Sequence, residues 1–264
     1  MIDHLDKIYG EKKESVEKYK KLYSVKDLSE KIKAYKNYYD FEKPLNNKKK
    51  VNVIAEIKKA SPSAGEILKN YNPTEIAKNY AKAGATCLSV LTEEKNFKGK
   101  IEDIQEIKKE VKLPILCKDF IYDEYQLYLA RAFGADAILI ILKGAGQYRA
   151  LGLRMLAKVL GLAVIYEVHT SREAEQVVGL ENVILGINNR NLETLEISLK
   201  TSVNLSNILR SHKNPIISES GIHSQKNIQF VLENAKIQNF LIGESLLKSK
   251  NIGLKLKEVT QITL

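Results

Sequence analysis

At residues 51–67 the chain reads VNVIAEIKKASPSAGEI, an apolar run that ends by placing Glu56 and Lys58 two residues apart. An acid and an amine held together away from bulk water shift each other's proton affinity. That is how a carboxylate becomes a base and an ammonium a proton donor near neutral pH. Comparable polar endings recur further on: Lys118 in LCKDFI, Glu167 in YEVHT, Asn188 with Arg190 in GINNRNLET, and Ser218, Glu219 and Ser220 in SESGI. One such residue is ordinarily a solvated rim. Several together point to proton-transfer chemistry.

Something must bring these endings to one place. From residue 51 onward, short β-rich apolar runs alternate with amphipathic helical stretches, the pattern of repeated βα units around a parallel sheet. The runs cover residues 51–58, 86–92, 114–119, 135–142, 163–168, 183–189, 215–220 and 239–245. Between the first two, PTEIAKNYAKAG repeats Ile76, Tyr80 and Ala83 at helical spacing, with Gly84 as the stop. Eight strand–helix units, with no Gly-x-Gly-x-x-Gly after the first strand, predict a closed α/β (β/α)8 (TIM) barrel rather than an open doubly wound sheet.

Barrels of this kind carry their chemistry at the C-terminal ends of the strands, and residues two apart share a face. The rule groups Ile54, Glu56 and Lys58 inward, with Val53, Ala55 and Ile57 toward the helices. It likewise groups Leu116 with Lys118, Ile165 with Glu167, Gly186 with Asn188 and Arg190, and Ser218 with Ser220. Glu219 then faces away. His169 shares the parity of Glu167 but lies past the strand end and reads as a structural or rim histidine. Gly221 and Gly243, each where a strand gives way to a helix, suit a phosphate gripped by backbone N–H groups, with Lys58 as countercharge. Glu244 fits there if its N–H donates while its carboxylate turns outward.

Residues 1–48 precede the first strand and are helical in pattern, with Ser24 and Asp27 as a capping signal and Leu5, Ile8, Tyr9, Tyr19, Leu22 and Tyr23 as apolar faces. They are expected to form a helical extension packed on the barrel, 42–50 being the linker, so that residues 1–264 make a single domain. No run approaches a membrane span, and residues 1–10 lack the order of a secretory signal. Cys87 and Cys117 sit in separate apolar runs, as buried thiols in a reducing compartment do. The reading is a cytoplasmic protein with no membrane partner. Its net charge of +10 comes from scattered lysines rather than one basic stripe, so a small anionic substrate is favoured over nucleic acid.

In chain order, IAEIKKASPSAG, LTEEKNFKGKIEDI, LCKDFI, YEVHT, GINNRNLET, SESGI and FLIGESLL resemble the indole-3-glycerol phosphate synthase family of tryptophan biosynthesis. The helical extension is similar too. The resemblance implies ring closure of 1-(2-carboxyphenylamino)-1-deoxyribulose 5-phosphate with loss of carbon dioxide and water, and implies no cofactor and no metal. It makes Lys118 the general acid on the carbonyl, and Glu167 or Glu56 the group handling the proton transfers of dehydration. Lys58 would pair with substrate anions or share the acid role. Asn188 would orient Glu56 and the substrate hydroxyls, and Arg190 would serve the carboxylate. Ser61 and Ser220 would hydrogen-bond near the substrate, Phe97 and Phe120 would flank the aromatic ring, and Glu219 would help position the site. Gly221, Gly243 and Glu244 would hold the phosphate, and a monomer would suffice. Lys100, where the family usually shows serine, and Lys143 in a basic stretch after the fourth strand, are local departures at the rim. A phosphoribosylanthranilate isomerase would be expected to use a Cys and Asp pair, where this first strand ends in Glu-x-Lys. A catalytically dead basic barrel would instead bind RNA or DNA in a salt-sensitive way.

Overall fold

The computed structural model describes residues 4–262. The first three and last two residues of the expected domain span therefore lie outside the described residues. Each anticipated strand forms: β1 (Asn52–Ile57), β2 (Cys87–Leu91), β3 (Ile115–Lys118), β4 (Ala137–Ile141), β5 (Ala163–Val168), β6 (Ile184–Asn188), β7 (Ile216–Glu219) and β8 (Asn239–Ile242). All are parallel, and they close into one barrel in sequence order. Closure is read in the register, where β1 sets Asn52 opposite Asn239 on one side and Ile54 opposite Cys87 on the other.

The helices are α1 (His4–Leu22), α2 (Val25–Ala34), α3 (Pro73–Lys82), α4 (Glu102–Glu110), α5 (Glu124–Ala132), α6 (Leu142–Ala145), α7 (Gln147–Val159), α8 (Ser171–Val177), α9 (Lys200–Ile208), α10 (Gln225–Ala235), α11 (Glu244–Leu247) and α12 (Ile252–Thr260). Local chemistry sets their ends. In α3, Asn72 accepts from the Glu75 N–H, Pro73 opens the helix, and Gly84 leaves it at φ +92°. Ser24 and Asp27 form the anticipated capping box at α2. No described helix is long and apolar enough to cross a membrane.

Alternation divides the core into two shells. Ile54, Cys87, Leu116, Leu139, Ile165, Ile184, Ile217 and Leu241 fill the barrel interior, while Val53, Ala55, Ile57, Val90, Ile138, Tyr166 and Phe240 pack beneath the helices. The expected parity holds for β1, β3, β5 and β6. It is inverted for β7: Ile217 and Glu219 point inward, and Ser218 points out, where its hydroxyl meets Ser202 Oγ at 2.7 Å and Asn189 Nδ2 at 3.0 Å. Ser220 misled the count because it lies past the strand at φ +67°, where strand alternation has ended.

The segment 42–50 is more than a linker. Its 3-10 turn at Lys43–Asn46 buries Leu45, which with Phe41 joins the barrel-interior cluster beneath Ile54 and Cys87. Asn52 Nδ2 ties it in place through the carbonyls of Leu45 and Asn47, at 3.3 and 2.9 Å.

The extension packs on the barrel from the other direction. Tyr125 Oη lies within hydrogen-bond reach of the carbonyls of Tyr19 and Tyr23, at 2.7 and 2.9 Å, and so anchors the end of α1 to α5. Nearer the strand ends, Lys12 Nζ reaches Asp119 Oδ2 at 2.7 Å with both side chains nearly buried. Thr92 Oγ1 and the Phe120 N–H complete the Asp119 carboxylate at 2.6 and 2.8 Å. This pair joins α1 to the residue that follows Lys118. Removing its cation leaves a buried carboxylate without a countercharge, at a cost of about 3 kcal/mol. Lys12→Met should therefore lower the unfolding free energy by that amount, read as a lower urea midpoint at unchanged m-value; a midpoint equal to wild type would show that the pair contributes no net stability.

Candidate active site

At the C-terminal mouth of the barrel the inward side chains of the strands converge. Lys118, the last residue of β3, extends its ammonium between two carboxylates, 2.8 Å from Glu167 Oε2 on β5 and 3.2 Å from Glu219 Oε2 on β7. Both glutamates are only 2% exposed at the side chain, so the three charges interact with little help from water. At the end of β1, Lys58 Nζ meets Glu56 Oε1 at 2.5 Å, a second acid–amine pair in the same cavity.

Space for these groups comes from absent side chains. A Cβ on Gly186 of β6 would lie 2.1 Å from Glu219 Oε1, and one on Gly243 would lie 2.2 Å from Glu56 Oε1. The two glycines are the floor on which the carboxylates rest.

The network extends around the rim. Asn188 Nδ2 donates to Glu167 Oε1 at 3.1 Å, and Asn188 Oδ1 accepts from Ser220 Oγ at 2.9 Å and from the Arg190 N–H at 3.0 Å. Asn188 thus orients Glu167, not Glu56 as expected: β6 lies directly beside β5, whereas β1 lies across the barrel. Arg190 spends one guanidinium N–H on the Leu195 carbonyl at 3.2 Å, within the loop that follows β6.

Burial and charge set the proton affinities. Burial disfavours the Glu167 carboxylate, but Lys118 and His169 outweigh it and hold its pKa well below the usual range. Glu219 shares Lys118 yet lacks a second cation, and burial with the neighbouring Glu167 pushes it up to about 7. Burial would lower Lys118, but Glu167 and Glu219 raise it and keep it an ammonium. One of the two carboxylates is therefore ionised at neutral pH, and the other is able to hold a proton there.

The apolar side of the cavity carries Phe97 and Phe120, with ring centroids 6.1 Å apart. Leu5 and Ile8 of α1, Leu139 and Leu192 complete it. Phe97 is held by Glu93, a residue overlooked in the sequence, whose buried carboxylate accepts the N–H groups of Lys95, Asn96 and Phe97 at 3.0, 2.7 and 2.9 Å. The signal was present in TEEKNF, since an acid shortly before an unpaired stretch of N–H groups is a cap for it.

Ser61, Gly221, Gly243 and Glu244 also line the cavity. Gly221, at φ +81°, turns the chain sharply after β7, and Gly243 opens the single-turn helix α11. The Glu244 carboxylate is drawn to Lys248 at 2.5 Å. That hydrogen bond, with Lys58 and Arg190 assisting against burial, lowers its pKa. His169 is no rim residue: its side chain is buried and its Nε2 stands 3.1 Å from Glu167 Oε1. Cys87 and Cys117 are buried free thiols. Lys143 is paired with Glu193 at 2.6 Å.

A closed parallel barrel whose ionisable groups gather at the C-terminal ends of its strands is the layout of a (β/α)8-barrel enzyme. The chain matches the family model for indole-3-glycerol phosphate synthase over residues 5–259. The enzyme of that name from Prochlorococcus marinus subsp. pastoris is 40% identical over 261 residues, covering 97% of this chain and 88% of the relative. Its counterpart from Aquifex aeolicus is 42% identical over 236 residues, covering 89% of this chain and 91% of the relative. Among solved structures, a mutant tryptophan synthase alpha-subunit from Pyrococcus furiosus aligns with a TM-score of 0.62 at 13% identity, over 80% of this chain and 98% of that one, a likeness of fold alone. The chain belongs to the indole-3-glycerol phosphate synthase family, and its activity is that carboxy-lyase reaction of tryptophan biosynthesis on a small phosphorylated substrate.

The raised Glu219 also sets a stability signature. A carboxyl whose folded pKa exceeds its unfolded value stabilises the fold below the unfolded pKa, and that contribution is lost as pH rises through the folded one, here between about 4.5 and about 7. Glu219→Gln mimics the protonated form. Its Tm should match wild type at pH 5 and exceed it at pH 8; a difference independent of pH would show that Glu219 does not change its proton on folding.

Proposed function

We propose that the two acid–amine clusters divide the steps of the reaction between them. The substrate, 1-(2-carboxyphenylamino)-1-deoxyribulose 5-phosphate, brings an aromatic ring, a carboxylate, a keto group and a phosphate. The cavity matches these in kind. Phe97 and Phe120 with the α1 residues take the ring, and Arg190 offers a planar guanidinium to the carboxylate. The phosphate goes to the backbone N–H groups around Gly221, Gly243 and Glu244, with Lys58 as countercharge. Ser61 and Ser220 serve as hydroxyl partners near the substrate.

In this reading the ring carbon bearing the carboxylate attacks the C2 carbonyl while the Lys118 ammonium gives a proton to the developing alkoxide. Loss of carbon dioxide returns the bonding electrons to the ring. Dehydration then removes the C2 hydroxyl as water, with a proton supplied to it, and takes a proton from C1 to form the indole double bond. Glu167, kept ionised and adjacent to Lys118, is the base for that removal. Glu56 and Lys58, paired on the facing strand, assist departure of water. Asn188 fixes Glu167 and the substrate hydroxyls, and Glu219 holds Lys118 in place. The single observation that carries the assignment is Lys118 suspended between Glu167 and Glu219, one ammonium serving two buried carboxylates of opposite proton affinity.

We further read residues 1–264 as one domain with 1–48 as its helical extension. All the site residues come from one chain, so a monomer is sufficient. Buried free thiols accord with a cytoplasmic setting.

The purified protein incubated with the substrate should develop indole absorbance and fluorescence. Lys118→Ala should reduce kcat by about 10²- to 10⁴-fold, the span of a lost general acid, with a far smaller change in KM. A loss confined to KM would assign Lys118 to binding.

A further inference from the structure

Behind Glu167, on the side away from the cavity, lies a buried chain of charge that the reaction as described does not use. His169 follows β5 with its side chain 7% exposed and does not border the cavity. Its Nε2 is 3.1 Å from Glu167 Oε1, and its Nδ1 is 3.7 Å from Glu173 Oε2 in the first turn of α8. These are contacts of ion-pair length, off the line of a directed hydrogen bond. The loop is pinned by the same acid, since the His169 N–H donates to Glu173 Oε2 at 2.6 Å. Thr170, between them, caps α8 by accepting the Glu173 N–H at 3.3 Å. His169 thus has one carboxylate at each nitrogen and little water.

The two carboxylates that share Lys118 differ in this respect. Glu167 has Lys118, Asn188 and His169 around it. Glu219 has Lys118, and its Oε1 is buried without a hydrogen-bond partner. Like-charged carboxylates on one cation compete for a proton, and the one with the additional positive neighbour stays ionised.

We infer that His169, as an imidazolium clamped between Glu167 and Glu173, is a positioning residue that fixes the Glu167 carboxylate and makes Glu167, rather than Glu219, the ionised partner of Lys118. The inference deepens the assignment of Glu167 as the dehydration base and rests on it. The titratable groups acting on His169 are Glu167 from β5 and Glu173 from α8; Lys118 of β3, Glu219 of β7 and Tyr9 of α1 face Glu167 from the other side. Burial alone would lower His169, but the two flanking carboxylates outweigh it and lift it to about 9. The imidazolium is therefore the form present at neutral pH. As pH rises through about 9 the proton is lost, and the support for Glu167 is lost with it.

The test uses the full chain and the indole assay. His169→Gln keeps a neutral N–H donor where Nε2 stood and removes the charge; His169→Ala removes both. For His169→Gln at pH 7 we expect kcat lower by about 10- to 10²-fold, up to the scale of a misplaced catalytic group, with KM within about twofold of wild type. His169→Ala should lose more. Wild-type kcat should decline as pH rises through about 9, and this decline should vanish in His169→Gln. Wild-type kcat in His169→Gln, or a decline that persists there, overturns the inference. Should the variants fail to fold, ¹⁵N NMR of the wild-type imidazole decides: a proton retained past pH 8 supports the assignment, and deprotonation near the ordinary value of about 6.5 overturns it. Glu167→Gln separates this inference from the reading beneath it. If it turns over like wild type, Glu167 is not the base and both fall. If it is inactive while His169→Gln is unaffected, only the positioning role of His169 falls.

Discussion

Everything at the mouth of this barrel follows from one ammonium held between two buried carboxylates. Lys118 reaches Glu167 at 2.8 Å and Glu219 at 3.2 Å in a place where the glutamates are nearly sealed from water. Burying three charges is costly unless each is partnered, and the surrounding residues are those partners. Asn188 and His169 take the second oxygen of Glu167, while Gly186 leaves room for Glu219 beside it. The odd charge is resolved by protonation: Glu219 keeps a proton to near neutrality and Glu167 does not. The ionised and the protonated form are thus separated on side chains of the same type by their neighbours alone.

The same requirement explains the helices before the barrel. A charge cluster open to bulk water would lose its mutual influence, since screening and solvation weaken every pair. The start of α1 supplies Leu5 and Ile8 to the cavity wall, and Tyr9 stacks its edge on Phe120 at 5.8 Å. Lys12 then fastens that helix to Asp119, one residue beyond Lys118. The segment of α1 that lines the site is thus bonded to the residue next to Lys118. Phe41 and Leu45 close the opposite end of the barrel, so the interior is packed from below while its chemistry faces upward.

Much of this was legible in the amino-acid sequence because the barrel writes itself in two periodicities. Apolar alternation at Ile54, Glu56 and Lys58, or at Ile165 and Glu167, is enforced by the need to fill one side of a strand, so parity alone located the charged wall. Parity failed where the strand ended. Ser220 sits one residue beyond β7 in a left-handed turn, and counting back from it put Ser218 inward and Glu219 outward, the reverse of what Ile217 requires. Asn188 was matched to Glu56 through the family resemblance and not through strand order. Its neighbour is β5, and its bond goes to Glu167. Glu93 was missed, and His169 was left as a structural or rim histidine, for a related reason: each lies in a loop just past a strand, where neither alternation nor helical spacing predicts direction.

The two acid–amine pairs also bear on how an anionic substrate can enter at all. Glu56 holds Lys58 at 2.5 Å, and Glu167 and Glu219 hold Lys118, so each lysine is already compensated before anything binds. A phosphate and a carboxylate arriving together would add negative charge to a site that has three inward glutamates. Two features relieve it. Glu219 is poised to be neutral near pH 7, and the Glu244 carboxylate, nearest the turn at Gly243, is turned to Lys248 rather than into the cavity. In the proposed reaction, Lys58 would exchange Glu56 for a substrate anion.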